Sequence, residues 1–195
     1  MKSILVSGTP GTGKTTLTKK LTKEEGLKRI NIGEFAIENS LILNKDEKRD
    51  TLILDEDKLI QEITKIIIKS KSKIVIEGHY VDIIPQEYMN IIIILRTRPK
   101  ILEKRLEKKG YNESKIKENI AAEILGSCTN QALNQYEKDK IFELDTSALD
   151  IKDCVSTLRK IIIYKPGEFL VGRINWLKEM ENDKDLEKYF KYLRE

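Results

Sequence analysis

The chain has 195 residues, 36 Lys+Arg against 32 Asp+Glu, a net charge of +4, two Cys and one His. Charged residues make up 35% and the hydrophobic set 39%, with little Gly or Pro, which excludes a disordered chain and fits one compact soluble domain. The longest apolar runs, such as Ile91–Leu95, fall far below the roughly 20 residues of a membrane span, and Cys128 and Cys154, without CxxC partners or a nearby His, read as free thiols of a reducing cytoplasm rather than zinc ligands.

The first residues run straight into an apolar strand, Ser3–Val6, and a glycine-rich loop, which is not the pattern of a secretory leader. A helical run, Thr16–Lys23, follows the loop. Ile30 with Ile32, Ile74–Ile76, Ile91–Leu95 and Phe142–Leu144 are further strand-length runs, several nearly continuous Ile/Val as in parallel strands buried on both faces. Helical spacing falls between them. Leu59, Ile63 and Ile66/Ile67 recur behind the acidic turn Asp55–Asp57. Pro99 suits the first turn of a helix through Leu102 and Leu106, and Asn112 suits the N-cap of one through Ile116, Ile120 and Ile124. Strands alternating with helices predict an α/β fold with a parallel sheet and right-handed crossovers. After Tyr164–Gly167 the spacing of Ile174, Leu177 and Met180, then Leu186, Phe190 and Leu193, predicts one or two helices docked on the same domain, with Trp176, Leu177 and Phe190 as packing residues. The chain thus divides into a domain over 1–163 and a helical extension over 164–195.

Gly8-Thr9-Pro10-Gly11-Thr12-Gly13-Lys14-Thr15 matches GxxxxGK[ST] in full, between a strand and a helix as the mechanism requires. The glycines let the backbone curl so that successive N–H groups converge on phosphate oxygens, and the following helix adds its dipole. Lys14 then reaches the β- and γ-phosphates and the Thr15 hydroxyl can ligate Mg²⁺. The pattern predicts binding of a nucleoside triphosphate, with Gly11, Gly13, Lys14, Thr15 and Thr16 against its phosphates.

The N-K-x-D signature of purine-reading GTPases is absent, since Asn44-Lys45-Asp46 lacks both the spacing and a preceding strand. Glu77 ends the strand Ile74–Ile76 and is placed to hold Mg²⁺ through water. The one His, His79, lies two residues beyond it, where strand ends face the ligand crevice. Split along the chain, the net charge becomes +1 over 1–95, +6 over 96–117, −5 over 118–150 and +2 over 151–195. The basic stretch suits a small closing lid, in which Arg96, Arg105 and Lys109 neutralise the charge of a transferring phosphoryl group. The acidic stretch is either a solvated surface or a docking face for a basic partner.

Taken together, Gly8–Thr16, Asn31-Ile-Gly-Glu34, Leu54-Asp-Glu-Asp57, His79 with Asp82 and Pro85, Leu95-Arg-Thr97, Arg105-Leu106, and Gly110-Tyr-Asn112 with Asn119 and Glu123 resemble the adenylate kinase isoenzyme 6 family, over about residues 2–146. The resemblance implies a P-loop nucleoside monophosphate kinase fold with a five-stranded parallel sheet, a monophosphate-binding arm at about 31–54 and a short zinc-free lid at about 108–118. It implies ATP + AMP ⇌ 2 ADP, a slower ATPase, and a platform protein of the small ribosomal subunit as partner in subunit maturation and rRNA processing. Three positions depart from the family pattern: Ile37 and Lys109 stand where Arg is usual, and Glu77 where Asp is common. Lysine offers a point charge in place of a bidentate fork, so the exchange at 109 bears on kinase efficiency.

Several functions share this frame. An adenylate-type kinase would hold ATP on Gly11–Thr16 and AMP in the 31–54 arm, near Asp55 and Asp57, although these two acids equally suit a helix N-cap and first turn. An ATP-driven assembly factor would use His79 to orient the attacking water. A small-metabolite kinase would differ only in the acceptor arm. Direct RNA or DNA reading is not expected, since the chain has no reader motif and no evident stacking platform.

Overall fold

The computed structural model describes residues 3–46, 51–181 and 186–192. Residues 47–50 of the 31–54 arm, and Leu193, lie outside that description.

Seven strands and nine helices alternate along the described residues: β1 Ser3–Ser7, α1 Lys14–Glu25, β2 Lys28–Asn31, α2 Ile32–Glu38, β3 Ile42–Asp46, β4 Thr51–Leu54, α3 Glu56–Lys69, β5 Ile74–Glu77, β6 Met89–Arg96, α4 Pro99–Lys108, α5 Glu113–Ile124, α6 Ser127–Gln135, β7 Ile141–Asp145, α7 Ile151–Tyr164, α8 Trp176–Met180 and α9 Leu186–Tyr192. Five strands form one parallel sheet in the order β2-β5-β1-β6-β7. The register sets Ile4 beside both Val75 and Ile91, and Ile92 beside Ile141. This is the fold class expected from the Ile/Val runs, and the reason is their burial: β1 and β5 are buried at every position.

One face of the sheet packs on α1 and α7 through Leu17, Leu21, Leu158 and Ile161. The other packs on α2, α3 and α6 through Ala36, Ile63, Ile67 and Ala132. A third cluster stands apart, where Leu102 and Leu106 of α4 and Ile116, Ile120 and Ile124 of α5 meet Trp176, Met180 and Tyr189 of the last two helices. The polar turns between elements act as caps. Asn31, Asp55, Asn112, Asp150 and Asn175 each accept the backbone N–H three residues on, which holds a helix start worth about 1 kcal/mol.

Two features were not apparent in the sequence. The 31–54 arm holds an antiparallel pair, β3 with β4, and α6 follows α5 after a break at Gly126, whose φ of 64° ends the helix.

Candidate functional site

The loop between β1 and α1 is built from conformations that only glycine adopts freely, with φ of 141° at Gly8, 92° at Gly11 and 100° at Gly13. A Cβ on Gly8 would sit 2.4 Å from the Leu95 carbonyl oxygen, so the loop lies directly on the end of β6. Thr12 braces the turn by donating its N–H and hydroxyl to the Thr9 carbonyl, at 3.3 and 2.9 Å. The Thr146 hydroxyl, just past β7, donates to the Thr12 carbonyl at 3.0 Å. At the start of α1 there is no side-chain cap and no acidic residue in the first turn, so the helix's own residues leave its positive end without an offsetting carboxylate.

Lys14 donates its ammonium to the Gly8 and Thr9 carbonyls at 2.6 and 3.0 Å. Burial lowers its pKa to about 8, against partial compensation from Cys128 and Glu77. Glu77 is fully buried at the end of β5. Its Oε1 is paired with Arg29 and accepts from Asn31 Nδ2 at 3.2 Å, while Oε2 is buried with no hydrogen-bond partner. A buried carboxylate oxygen without a donor, near Lys14, fits a water of a hydrated cation. The Thr15 hydroxyl on the cavity wall fits a direct Mg²⁺ ligand. These two residues would hold the ion.

Two cavities flank the loop. The larger, of about 680 Å³, is lined by Lys14 and Thr15, by His79 and Tyr80 beyond β5, and by Leu52 and Leu54 of the arm. The second, of about 470 Å³, is more apolar and is lined by Leu17, Arg105, Leu149, Ile151 and Cys154. They meet at Gly11, Gly13, Thr16 and Lys109.

His79 is exposed on the cavity wall beside Tyr80, with ring centroids 4.0 Å apart, and makes no hydrogen bond to the described residues. Partial desolvation by the surrounding walls, then repulsion from Lys14 and Lys115, lowers its pKa to about 4. The imidazole is therefore neutral across the physiological range and can accept a proton or a hydrogen bond.

Of the three lid cations named above, the structure places two by the cavities. Lys109 faces both. Arg105 lines the smaller one, anchored by donation to the Thr146 carbonyl at 2.6 Å and to the Thr97 and Thr146 hydroxyls at 3.3 and 3.2 Å. Arg96 is not available to a phosphate, and its assignment to charge neutralisation is corrected here. It is 3% exposed, with Nε on Glu123 at 2.8 Å, Nη1 on Glu143 at 2.8 Å and on Thr129 at 3.2 Å, and Nη2 on the Glu123 carbonyl at 2.9 Å. Burial opposes its charge, but the two carboxylates outweigh that and hold the guanidinium protonated. The same network takes two acids out of the stretch 118–150, while Glu118, Glu137, Asp139 and Asp150 stay exposed. Glu123 and Glu143, 2% and 4% exposed, belong to the core and not to a docking face.

Asp55 is a cap, accepting from Lys58 N at 3.3 Å and pairing with Lys58 Nζ at 2.8 Å. Cys128 and Gln131 of α6, together with Leu52 and Leu54, join the larger cavity; in the sequence Cys128 reads only as a free thiol, Leu54 only as part of a motif, and the other two do not stand out. Among the described residues no helix is long and apolar enough to cross a membrane.

The AAA domain model matches residues 4–126. Over 190 residues the chain is 37% identical to a protein of Methanocaldococcus jannaschii named "Putative adenylate kinase", covering 97% of this chain and 96% of that one. It is 34% identical over 148 residues to the adenylate kinase isoenzyme 6 homolog of Caenorhabditis elegans, covering 76% and 81%. Among solved structures, shikimate kinase from Bacteroides thetaiotaomicron superposes with a TM-score of 0.50 at 17% identity, over 83% of this chain and 98% of that one. An uncharacterised protein of Eubacterium ventriosum reaches 0.54 at 16%, over the same shares. These structural likenesses speak to the P-loop α/β fold, and the sequence matches to kinship: the chain belongs to the adenylate kinase isoenzyme 6 family.

Proposed function

We propose that the protein is a nucleoside monophosphate kinase that transfers the γ-phosphoryl group of ATP to AMP. The observation that carries this reading is the pair of cavities meeting over the phosphate loop at Gly11, Gly13, Thr16 and Lys109. A hydrolase needs room for one nucleotide, whereas two connected cavities suit a donor and an acceptor. The smaller, apolar cavity takes the adenosine of ATP against Leu17, Leu149 and Ile151. The larger one, beneath the arm of 31–54, takes AMP.

An oxygen of the acceptor phosphate attacks the γ-phosphorus, the bond to the β–γ bridging oxygen breaks, and ADP leaves on both sides. Lys14 turns from its two loop carbonyls to the β- and γ-phosphates, and the start of α1 binds the triphosphate. Arg105 holds the donor side through its anchor on Thr146. Lys109, in the lid of 108–118, faces both cavities and neutralises charge in flight. Thr15 and Glu77 hold Mg²⁺, which brings further neutralisation of the β- and γ-phosphates when bound. Positioning and electrostatics dominate this chemistry, so no dedicated base is required.

A slower ATPase is the second reading, favoured by His79, a neutral imidazole on the wall of the larger cavity with no hydrogen bond to the described residues. With no acceptor bound, it orients a water towards the γ-phosphorus. On this reading the protein works in the cytoplasm in maturation of the small ribosomal subunit, with a platform protein as partner, and its free thiols Cys128 and Cys154 suit that reducing compartment. The test is ADP formation from ATP with each monophosphate in turn, beside phosphate release with and without small-subunit proteins. AMP-dependent ADP is expected, and its absence at millimolar AMP overturns the kinase reading.

A further inference from the structure

The C-terminal segment reaches the phosphate loop through one buried carboxylate. Trp176, the single Trp of the chain and the first residue of α8, is 2% exposed and donates Nε1–H to Glu123 Oε1 at 2.8 Å. The same oxygen accepts from Arg96 Nε at 2.8 Å and from the Thr97 backbone N–H at 3.0 Å. The other oxygen accepts from the Thr9 hydroxyl at 2.7 Å. Thr9 is the second residue of the loop, and its carbonyl receives Lys14 and Thr12. One carboxylate thus joins α8, the end of β6 and the cradle. The partner acid of Arg96 is finished in the same way, because the Gly172 backbone N–H donates to Glu143 Oε2 at 2.9 Å. The segment after α7 therefore supplies a hydrogen bond to each of the two carboxylates that flank Arg96. Further out, Lys188, Tyr189 and Tyr192 of α9 grip Glu103 of α4, at 2.8, 3.2 and 3.2 Å.

We propose that Trp176 is a positioning residue for the ATP cradle, fixing the Glu123 carboxylate so that it holds Thr9 and with it the carbonyls on which Lys14 rests. A carboxylate with all its donors in place has one orientation, and removing the Trp176 donor leaves Oε1 to Arg96 and Thr97 alone, which shifts the carboxylate and loosens its hold on Thr9. A purely packing tryptophan would transmit nothing of the kind. Trp176→Phe keeps an aromatic ring in the apolar cluster and removes the N–H together with the five-membered ring, a loss of volume for which a second cavity variant is the control. Met180→Ala leaves the hydrogen bond and opens the same cluster.

Calorimetric titration with Mg-ATP, paired with thermal melts, separates these roles. W176F binds Mg-ATP more weakly by about five-fold, the size of a mid-range coupling between linked sites. M180A melts earlier and binds like the wild type. Equal affinity for W176F and the wild type overturns the proposal, and so does an M180A loss as large as that of W176F. Should W176F not fold, Thr9→Val in the otherwise unaltered chain reads the link from the far end. Loss of the Thr9 hydroxyl shifts the Trp176 emission spectrum, and identical spectra overturn the proposal. The inference rests on ATP occupying the cradle: a wild-type protein that binds no Mg-ATP defeats that reading itself, whereas a wild type that binds and a W176F that binds equally defeats only the inference.

Discussion

Arg96→Met tests whether the buried ion network, rather than the lid, is the work of this arginine. Methionine has a similar length and no charge, so the change removes charge and donors more than volume. What it strands is specific. Glu123 loses its bond at 2.8 Å, and Glu143, 4% exposed, loses its own at 2.8 Å. Glu123 keeps donors from Thr97, Trp176 and Thr9, while Glu143 keeps Thr129 and Gly172. Two carboxylates then share a buried site without a cation. Breaking a buried pair by removing one partner costs about 3–5 kcal/mol, and the remaining donors place the expectation at about 4 kcal/mol, or a fall in Tm on the order of 10 °C for a chain of this size. The pH dependence carries a sign. Protonating a stranded carboxylate removes the buried charge, so folded R96M takes up protons that its unfolded chain does not. Its stability therefore falls as pH rises, and the gap to the wild type is wider near pH 7.5 than near pH 5.5. Urea unfolding followed by circular dichroism at both pH values measures it. A loss under about 1 kcal/mol, or a gap that widens in acid, would refute the buried-network account.

Other outcomes follow from the cradle. In the proposed kinase Lys14 meets phosphate as the cation, so with its pKa lowered to about 8 the Mg-ATP affinity should hold below pH 8 and decline above it; affinity unchanged up to pH 9.5 contradicts this. His79→Ala lowers phosphate release by about ten-fold or more while Mg-ATP affinity stays within about two-fold, since the ring faces the cavity and touches no loop atom through a hydrogen bond; equal losses in the two sink its role in orienting water. Gly8→Ala abolishes Mg-ATP binding, because its Cβ would meet the Leu95 carbonyl at 2.4 Å and φ is 141°. Gly26→Ala is the contrast: φ is 63° with nothing within 4 Å, so it costs about 1 kcal/mol of stability and leaves binding intact.

Much of the architecture was legible because local signals agreed with the fold. The apolar runs at Ser3–Val6, Ile74–Ile76, Ile91–Leu95 and Phe142–Leu144 became four of the five core strands, while Ile30 lies in β2 and Ile32 opens α2; Asn112 became the cap of α5, and Pro99 opened α4. The loop was legible because its chemistry depends on contiguous residues. What escaped was built from residues distant in sequence. Arg29 and Asn31 meet Glu77 across β2 and β5, and nothing in Lys28–Asn31 announces a carboxylate partner. Arg96 looked like a lid cation because its charge sits in a basic run, while its partners lie 27 and 47 residues on. The β3–β4 pair was hidden by Leu43 and Ile53, apolar residues that face solvent. Trp176 read as packing, and it does pack; its hydrogen bond to Glu123 is visible only once α8 is set against α5.

The proposed kinase brings two substrates together over the phosphate loop. ADP production from Mg-ATP, measured against AMP concentration and set beside phosphate release in the same sample, tests it most directly. ADP should rise with AMP and saturate, with two ADP per ATP consumed and phosphate release the slower process. ADP formed only in step with phosphate, and unchanged by millimolar AMP, would contradict it.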